Sequence, residues 1–208
     1  VRKEIIENHK KYVERVNLYR QYGYGPLEAR HSILKHVLPL KGKILEVGTG
    51  RGYMTLALAE AGYSITSIDN SKENQKAALL NAKYYNIEDR INFKIDDACN
   101  LSFKDNSFDM LVCTFLMHHL KEPDKAVDEF LRVVKPGGQI VLSEYNKEGL
   151  NIVNEIYSQE GKVHHATVVG LSGIADYLKG KDVNFNKIDD KYHEVLIIKP
   201  KDGDSNEV

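Results

Sequence analysis

The sequence predicts a three-layer, doubly wound α/β fold: seven mostly parallel strands, helices on both faces, and an antiparallel hairpin near the C-terminal end. Three observations carry this. An apolar run at residues 43–47 stops abruptly in glycines at alternate positions, Gly48, Gly50 and Gly52, and the helical stretch YMTLALAE follows. Short apolar runs then alternate with helical ones as far as Glu144, which is the rhythm of parallel βα units. Two last apolar runs, 183–188 and 194–199, flank a polar DDK and are placed to pair as a hairpin.

The chain in order begins with a helical pattern over residues 3–20, with Ile5, Ile6, His9, Tyr12, Val13, Val16 and Tyr19 at helical spacing. YGYGP breaks it, and a second helix is expected from 27 to 37, presenting Ile33, Leu34, Val37 and Leu38. The glycine turn joins the first strand to a helix over 53–60. A second strand at 64–68 ends at Asp69 and leads into the helix SKENQKAALLNAKYY. INFKI is the third strand. FDMLVCT is the fourth, a near-continuous apolar run of the kind buried on both faces of a parallel sheet. Pro123 opens a helix that KPGG is expected to stop, and QIVLSE is the fifth strand. Residues 145–170 loosen the pattern, with a helix expected near 148–158. A short helix over 172–179 precedes the hairpin, and the charged residues 201–208 are expected to be disordered.

At 208 residues, 42% hydrophobic and 28% charged, the composition is that of one soluble globular domain. A net charge of −1 argues against nucleic-acid binding through bulk electrostatics. Two cysteines supply no disulfide framework, the first residues are charged, and no run approaches the ~20 apolar residues that span a bilayer. The expectation is a cytoplasmic protein with no nucleic-acid partner and no membrane.

The turn itself points to a ligand. Strand, glycine turn and helix form a nucleotide-site hairpin, because glycine adopts positive φ and lets a ligand approach bare backbone. A dinucleotide fingerprint reads G-x-G-x-x-G, but these glycines run G-x-G-x-G with Glu46 two residues before the first. A carboxylate there repels a pyrophosphate and suits an ammonium or sulfonium ligand. Asp69 stands at the C-terminal edge of strand two, where open parallel sheets bind ligands, and its carboxylate can accept both ribose hydroxyls. Helix capping is the alternative use of Asp69, with Ser71 as a rival cap.

This E-x-G-x-G-x-G line resembles the first motif of the class I S-adenosylmethionine-dependent methyltransferases, and the likeness extends over about two thirds of the chain. LRVVKPGGQIVLSE is similar to the segment after the catalytic strand in their small-molecule, type-11-like branch. The resemblance implies one methyltransferase domain over 1–200: leading helices (1–40), a cofactor-binding core (43–144) and a substrate lid (145–170). It implies S-adenosylmethionine as cofactor, bound by Glu46, Gly48, Thr49, Gly50, Gly52, Asp69, Asn70, Asp97, Ala98 and Thr114. Asp97 with Ala98 would read the adenine, Asp96 being the other candidate. In the family the leading segment often closes over the cofactor, which makes Tyr22 and Tyr24 candidates for its methionine end, with core or surface packing as their other role.

Methyl transfer needs a base only if the acceptor must lose a proton. His118 and His119, after strand four, are the candidates, and the pair is similar to the H-H pattern of quinone-biosynthesis methyltransferases. Packing or capping is the other reading of either histidine. Tyr145, Tyr157, His164 and His165 are the candidate acceptor contacts. His164 and His165 could also join His118 or His119 around a metal, but no fixed ligand spacing supports this, and no metal is expected. TFLM stands where amino-methylating nucleic-acid enzymes carry N/D-P-P-Y/F, and Cys113 lacks a Pro-Cys setting and reads as core. The reading is a methyltransferase acting on a small molecule. The alternative is a non-catalytic adenosylmethionine-binding module acting through a protein partner.

Overall fold

In the computed structural model, which describes residues 1–164, 166 and 170–201, strand β1 (Ile44–Val47) lies third in a seven-stranded sheet, beside its middle strand. It pairs in parallel with β2 (Ile65–Asp69) on one side and β4 (Phe108–Thr114) on the other. Beyond β2 lies β3 (Ile91–Ile95). Beyond β4 lies β5 (Val134–Tyr145), then β7 (His193–Pro200), antiparallel to β5, and β6 (Val183–Asp189) at the edge. The order β3-β2-β1-β4-β5-β7-β6 puts the crossover point between β1 and β4, where an open parallel sheet leaves a crevice at its C-terminal edge.

Two cores flank the sheet. Ile44, Met110, Val112 and Val141 face one way, against α1 (Arg2–Gln21), α2 (Pro26–Lys35), α3 (Tyr53–Glu60) and α6 (Lys147–Gln159). Leu45, Leu111, Ile140 and Leu142 face the other way, against α5 (Pro123–Val133) and α7 (Ser172–Leu178). The strict alternation along each strand is the period-2 consequence of the pleat. Helix α4 (Lys72–Tyr85) packs beside α1 and completes the first layer.

Several elements differ from the sequence reading. Helix α1 buries Tyr12, Val16 and Tyr19 but leaves Ile6 and Val13 exposed, because its inner stripe is narrower than its apolar content. Helix α2 ends at Lys35, short of Val37. Pro39 disfavours helical geometry at Leu38, and Leu38 is exposed. KPGG does not separate α5 from β5. It lies inside the strand, with Gly137 at φ 70° and the β4–β5 register slipping between Phe108 and Met110, so the glycines form a bulge. Residues 145–170 are less of a loop than expected: α6 is a regular helix anchored by Leu150, Val153 and Ile156. Among the described residues, no helix is long and apolar enough to cross a membrane, and both cysteines are free. The tail at 202–208 lies outside the described residues.

Candidate active site

The glycine turn has the geometry its composition demands. Gly48 sits at φ 89°, and a Cβ built there would lie 3.1 Å from the Leu116 side chain. Gly52 sits at φ 88°, and its Cβ would meet Ala78 at 3.1 Å. Positive φ and tight space act together at both positions. Asp69 then fastens the turn: one carboxylate oxygen accepts the Gly50 N–H at 2.7 Å, the other the Ser71 N–H at 2.8 Å, with Asn74 Nδ2 nearby. The cap of α4 is Ser71, whose hydroxyl accepts the Asn74 N–H, so Asp69 is not the cap. A carboxylate has about four acceptor sites, which leaves room for ribose hydroxyls.

A cavity of about 490 Å³ opens over this turn. Gly48, Thr49, Gly50, Asp69, Asn70 and Thr114 line one end. A narrow extension, bounded by Asp96, Asp97 and Ala98, shares Gly48, Asp69, Asn70, Leu116 and Leu120 with it. Asp96 is occupied by the N–H and hydroxyl of Ser102, whereas Asp97 is exposed and holds only the Cys99 N–H, which favours Asp97 of the two. At the other end stand His118, His119, Tyr145, Tyr157 and His164. His165 lies outside the described residues.

His118 and His119 are not equivalent. His118 is 2% exposed; its Nδ1 meets Glu144 Oε1 at 2.6 Å, and its backbone N–H donates to Glu144 Oε2 at 3.0 Å. Glu144 is itself buried, at the end of β5 beside β4. His119 is exposed, its ring tilted 3.9 Å from that of His118. Glu144 was not among the expected residues. Its signal was its place at the end of a parallel strand next to that of the histidines.

Glu46 corrects an expectation. It does not line the cavity and is 1% exposed, pointing from β1 towards α3. Ser67 and Thr55 donate their hydroxyls to its Oε2, while Oε1 has no partner among the described residues. Burial pushes its carboxyl up to about 7, against the pull of those two hydroxyls, so at neutral pH it is no fixed anion. Because the folded value lies above the ordinary 4.5, the folded state binds the proton more tightly. The associated stability is complete below about 4.5 and is lost as pH rises through about 7. Relative to Glu46→Gln, the wild type should therefore lose ~3 kcal/mol across that window. Denaturant melts of both proteins along a pH series test this, and a difference that stays flat with pH refutes it.

The leading helices contribute residues the sequence reading missed. Tyr22 and Tyr24 do not line this cavity; Tyr24 is buried against Tyr145 and Tyr192. Arg15, Tyr19 and Arg30 line it instead. Arg15 pairs with Glu160. Arg30 is 7% exposed, lies over the Phe115 ring at 4.2 Å, and touches Tyr24 and the Pro26 carbonyl. Among the described residues it has no carboxylate partner, and its Nε donates to nothing. A buried cation facing a cavity is a seat for an anion.

Residues 45–142 match the family model described as a methyltransferase domain. This match, with the relatives below, supports a class I S-adenosylmethionine-dependent methyltransferase. A demethylmenaquinone methyltransferase of Clavibacter sepedonicus is 33% identical over 143 residues, covering 68% of this chain and 57% of that protein. A ubiquinone biosynthesis O-methyltransferase of Psychrobacter arcticus is 34% identical over 106 residues, covering 50% and 41%. The chain thus spans about half the length of the curated relatives it matches. A solved structure from Pyrococcus horikoshii OT3 superposes with a TM-score of 0.72 at 20% identity, covering 84% of this chain and 90% of that one, and shows the shared fold. The cosubstrate of this methyltransferase family is S-adenosylmethionine. The residues present fit it: the turn at Gly48 has no space for a side chain, and the orphaned Arg30 Nε awaits an acceptor.

Proposed function

We propose that this methyltransferase moves a methyl group from S-adenosylmethionine to a protic small-molecule acceptor bound between His118, Tyr145, Tyr157 and His164. One observation carries the reading: a single cavity joins the glycine turn and Asp69 at one end to the buried His118–Glu144 pair at the other. Asp69 takes the ribose hydroxyls, Asp97 and Ala98 the adenine, and Arg30 the methionine carboxylate. The bound sulfonium supplies the methyl group, and the electron pair of the broken C–S bond stays on sulfur. The chain's work is orientation and exclusion of water. Glu144 holds the His118 ring and its proton at Nδ1, so that Nε2 faces the acceptor end with a lone pair. A catalytic histidine in the cavity favours turnover over a module that only binds the cofactor. The names of the relatives make quinol and phenol rings the first acceptors to try.

Calorimetry should show heat with S-adenosylmethionine and S-adenosylhomocysteine and none with NAD; heat with NAD alone would overturn the reading. Asp69→Ala should raise the dissociation constant roughly 10- to 150-fold, one charge-assisted hydrogen bond being worth ~1.5–3 kcal/mol. An unchanged constant in a folded variant would reduce Asp69 to a brace for the turn.

A further inference from the structure

The acceptor end supports a second use of His118, as a ligand rather than a base. His118, His119 and His164 each offer a ring nitrogen, and the three atoms lie within 4.8 Å of one another. His118 Nε2 and His164 Nε2 are 3.2 Å apart. The other nitrogen of each ring is already committed. His118 Nδ1 faces Glu144 Oε1, and both oxygens of that carboxylate also accept backbone N–H groups, from Tyr145 and from His118 itself. His164 Nδ1 faces Asn154 Oδ1 at 3.0 Å. A ring nitrogen facing an acceptor carries the proton, so each of these rings turns an unprotonated Nε2, with its lone pair, towards the other. Two lone pairs at that distance repel unless a positive charge lies between them.

We propose that His118, His119 and His164 bind one divalent metal ion of the zinc class at the acceptor end of the cavity. Imidazole nitrogens suit zinc, and two such ligands at ~2.0–2.1 Å around a tetrahedral ion stand about 3.3 Å apart, close to the spacing seen. Glu144 and Asn154 are the outer partners that metal-binding histidines ordinarily use to fix their tautomer. Three protein ligands leave a coordination position for a small molecule, the pattern of a catalytic rather than a structural ion. Resting on the methyltransferase reading, the ion would bind the acceptor through oxygen, sulfur or nitrogen. The coordinated X–H loses its proton to solvent, X forms its bond to the methyl carbon, and the C–S bond breaks with its electrons on the departing sulfur. That selects acceptors which coordinate as anions, such as thiols and phenols. The ion ties the turn after β4 to the segment after α6, His118 and His164 being 46 positions apart in the chain.

The test uses the full chain, stripped by chelator and titrated with Zn²⁺ by calorimetry and with Co²⁺ by visible absorption. One equivalent per chain, with a tetrahedral cobalt spectrum, is expected. His164→Ala should weaken Zn²⁺ binding at least 100-fold, and Asn154→Leu about 10- to 100-fold, as loss of an outer partner does elsewhere. Both variants leave the buried His118 and its Glu144 partner in place, so both should fold. The affinity of His164→Ala for S-adenosylhomocysteine should stay within about threefold. His31→Ala, at an exposed position that does not line the cavity, should bind zinc as the wild type does. Failure of wild type to bind Zn²⁺ stoichiometrically, which would mean that a shared proton bridges the two rings, overturns the proposal; so does zinc binding that survives His164→Ala. Loss of cofactor heat alongside intact zinc binding would instead overturn the methyltransferase reading, so the two can fail separately.

Discussion

Gly48→Val should lose at least about 100-fold in affinity for S-adenosylmethionine while remaining folded. The backbone there stands at φ 89°, a region a β-branched residue enters at roughly 1–3 kcal/mol. The new Cβ would also meet the Cδ2 and Cβ atoms of Leu116 at 3.1 and 3.2 Å. Leu116 lines both the main cavity and its narrow extension, so pushing it aside deforms the place where the two join. Overpacking typically adds about 1–3 kcal/mol, and the branched side chain fills space where backbone alone now faces the ligand. Loss of ~3 kcal/mol of binding is more than 100-fold. Calorimetry on a variant whose circular dichroism matches the wild type decides the matter. A constant within tenfold of wild type would show that the ligand does not lie against this turn.

Arg30→Met should separate binding from stability. Arg30 is a buried cation with no carboxylate partner among the described residues, and methionine fills similar space without charge. Removing an unpaired buried charge favours the folded state, while losing the cation–π contact with Phe115 opposes it by ~0.5–2 kcal/mol. The apo protein should therefore change by less than about 1 kcal/mol. The bound ligand loses the partner of its carboxylate, which at a buried charge pair is worth about 2–5 kcal/mol, or at least 30-fold in the dissociation constant. Methylthioadenosine, which lacks the amino-acid moiety, should bind wild type and variant alike. Equal weakening of both ligands would place Arg30 in packing rather than recognition.

How much of this was legible in the chain follows from the range over which each feature is specified. Strand β4 and helix α3 were readable to the residue, because FDMLVCT and YMTLALAE carry their period within a few positions. KPGG misled for the same reason: proline and glycine signal a break locally, and only pairing with β4 turns that break into a bulge inside β5. Glu46 was correctly placed beside the turn, yet whether it faces ligand or core depends on Thr55 and Ser67 arriving from α3 and β2. His118 was visible as a candidate; the buried Glu144 that fixes its tautomer, 26 positions on, was not.

The sequence by itself determined the βα order, the glycine turn and the acidic residues on the ligand edge. These rest on hydrophobic periodicity, on glycine's freedom at positive φ, and on the rule that parallel strands deliver their C-terminal ends to one side. Only the tertiary structure decided what faces what across the cavity. Arg30 comes from a helix before the first strand, Glu144 from the end of the fifth, and His164 from beyond α6. Their meeting costs loop-closure entropy that packing of α2 and α6 against the sheet must offset, and that balance is written in no local pattern.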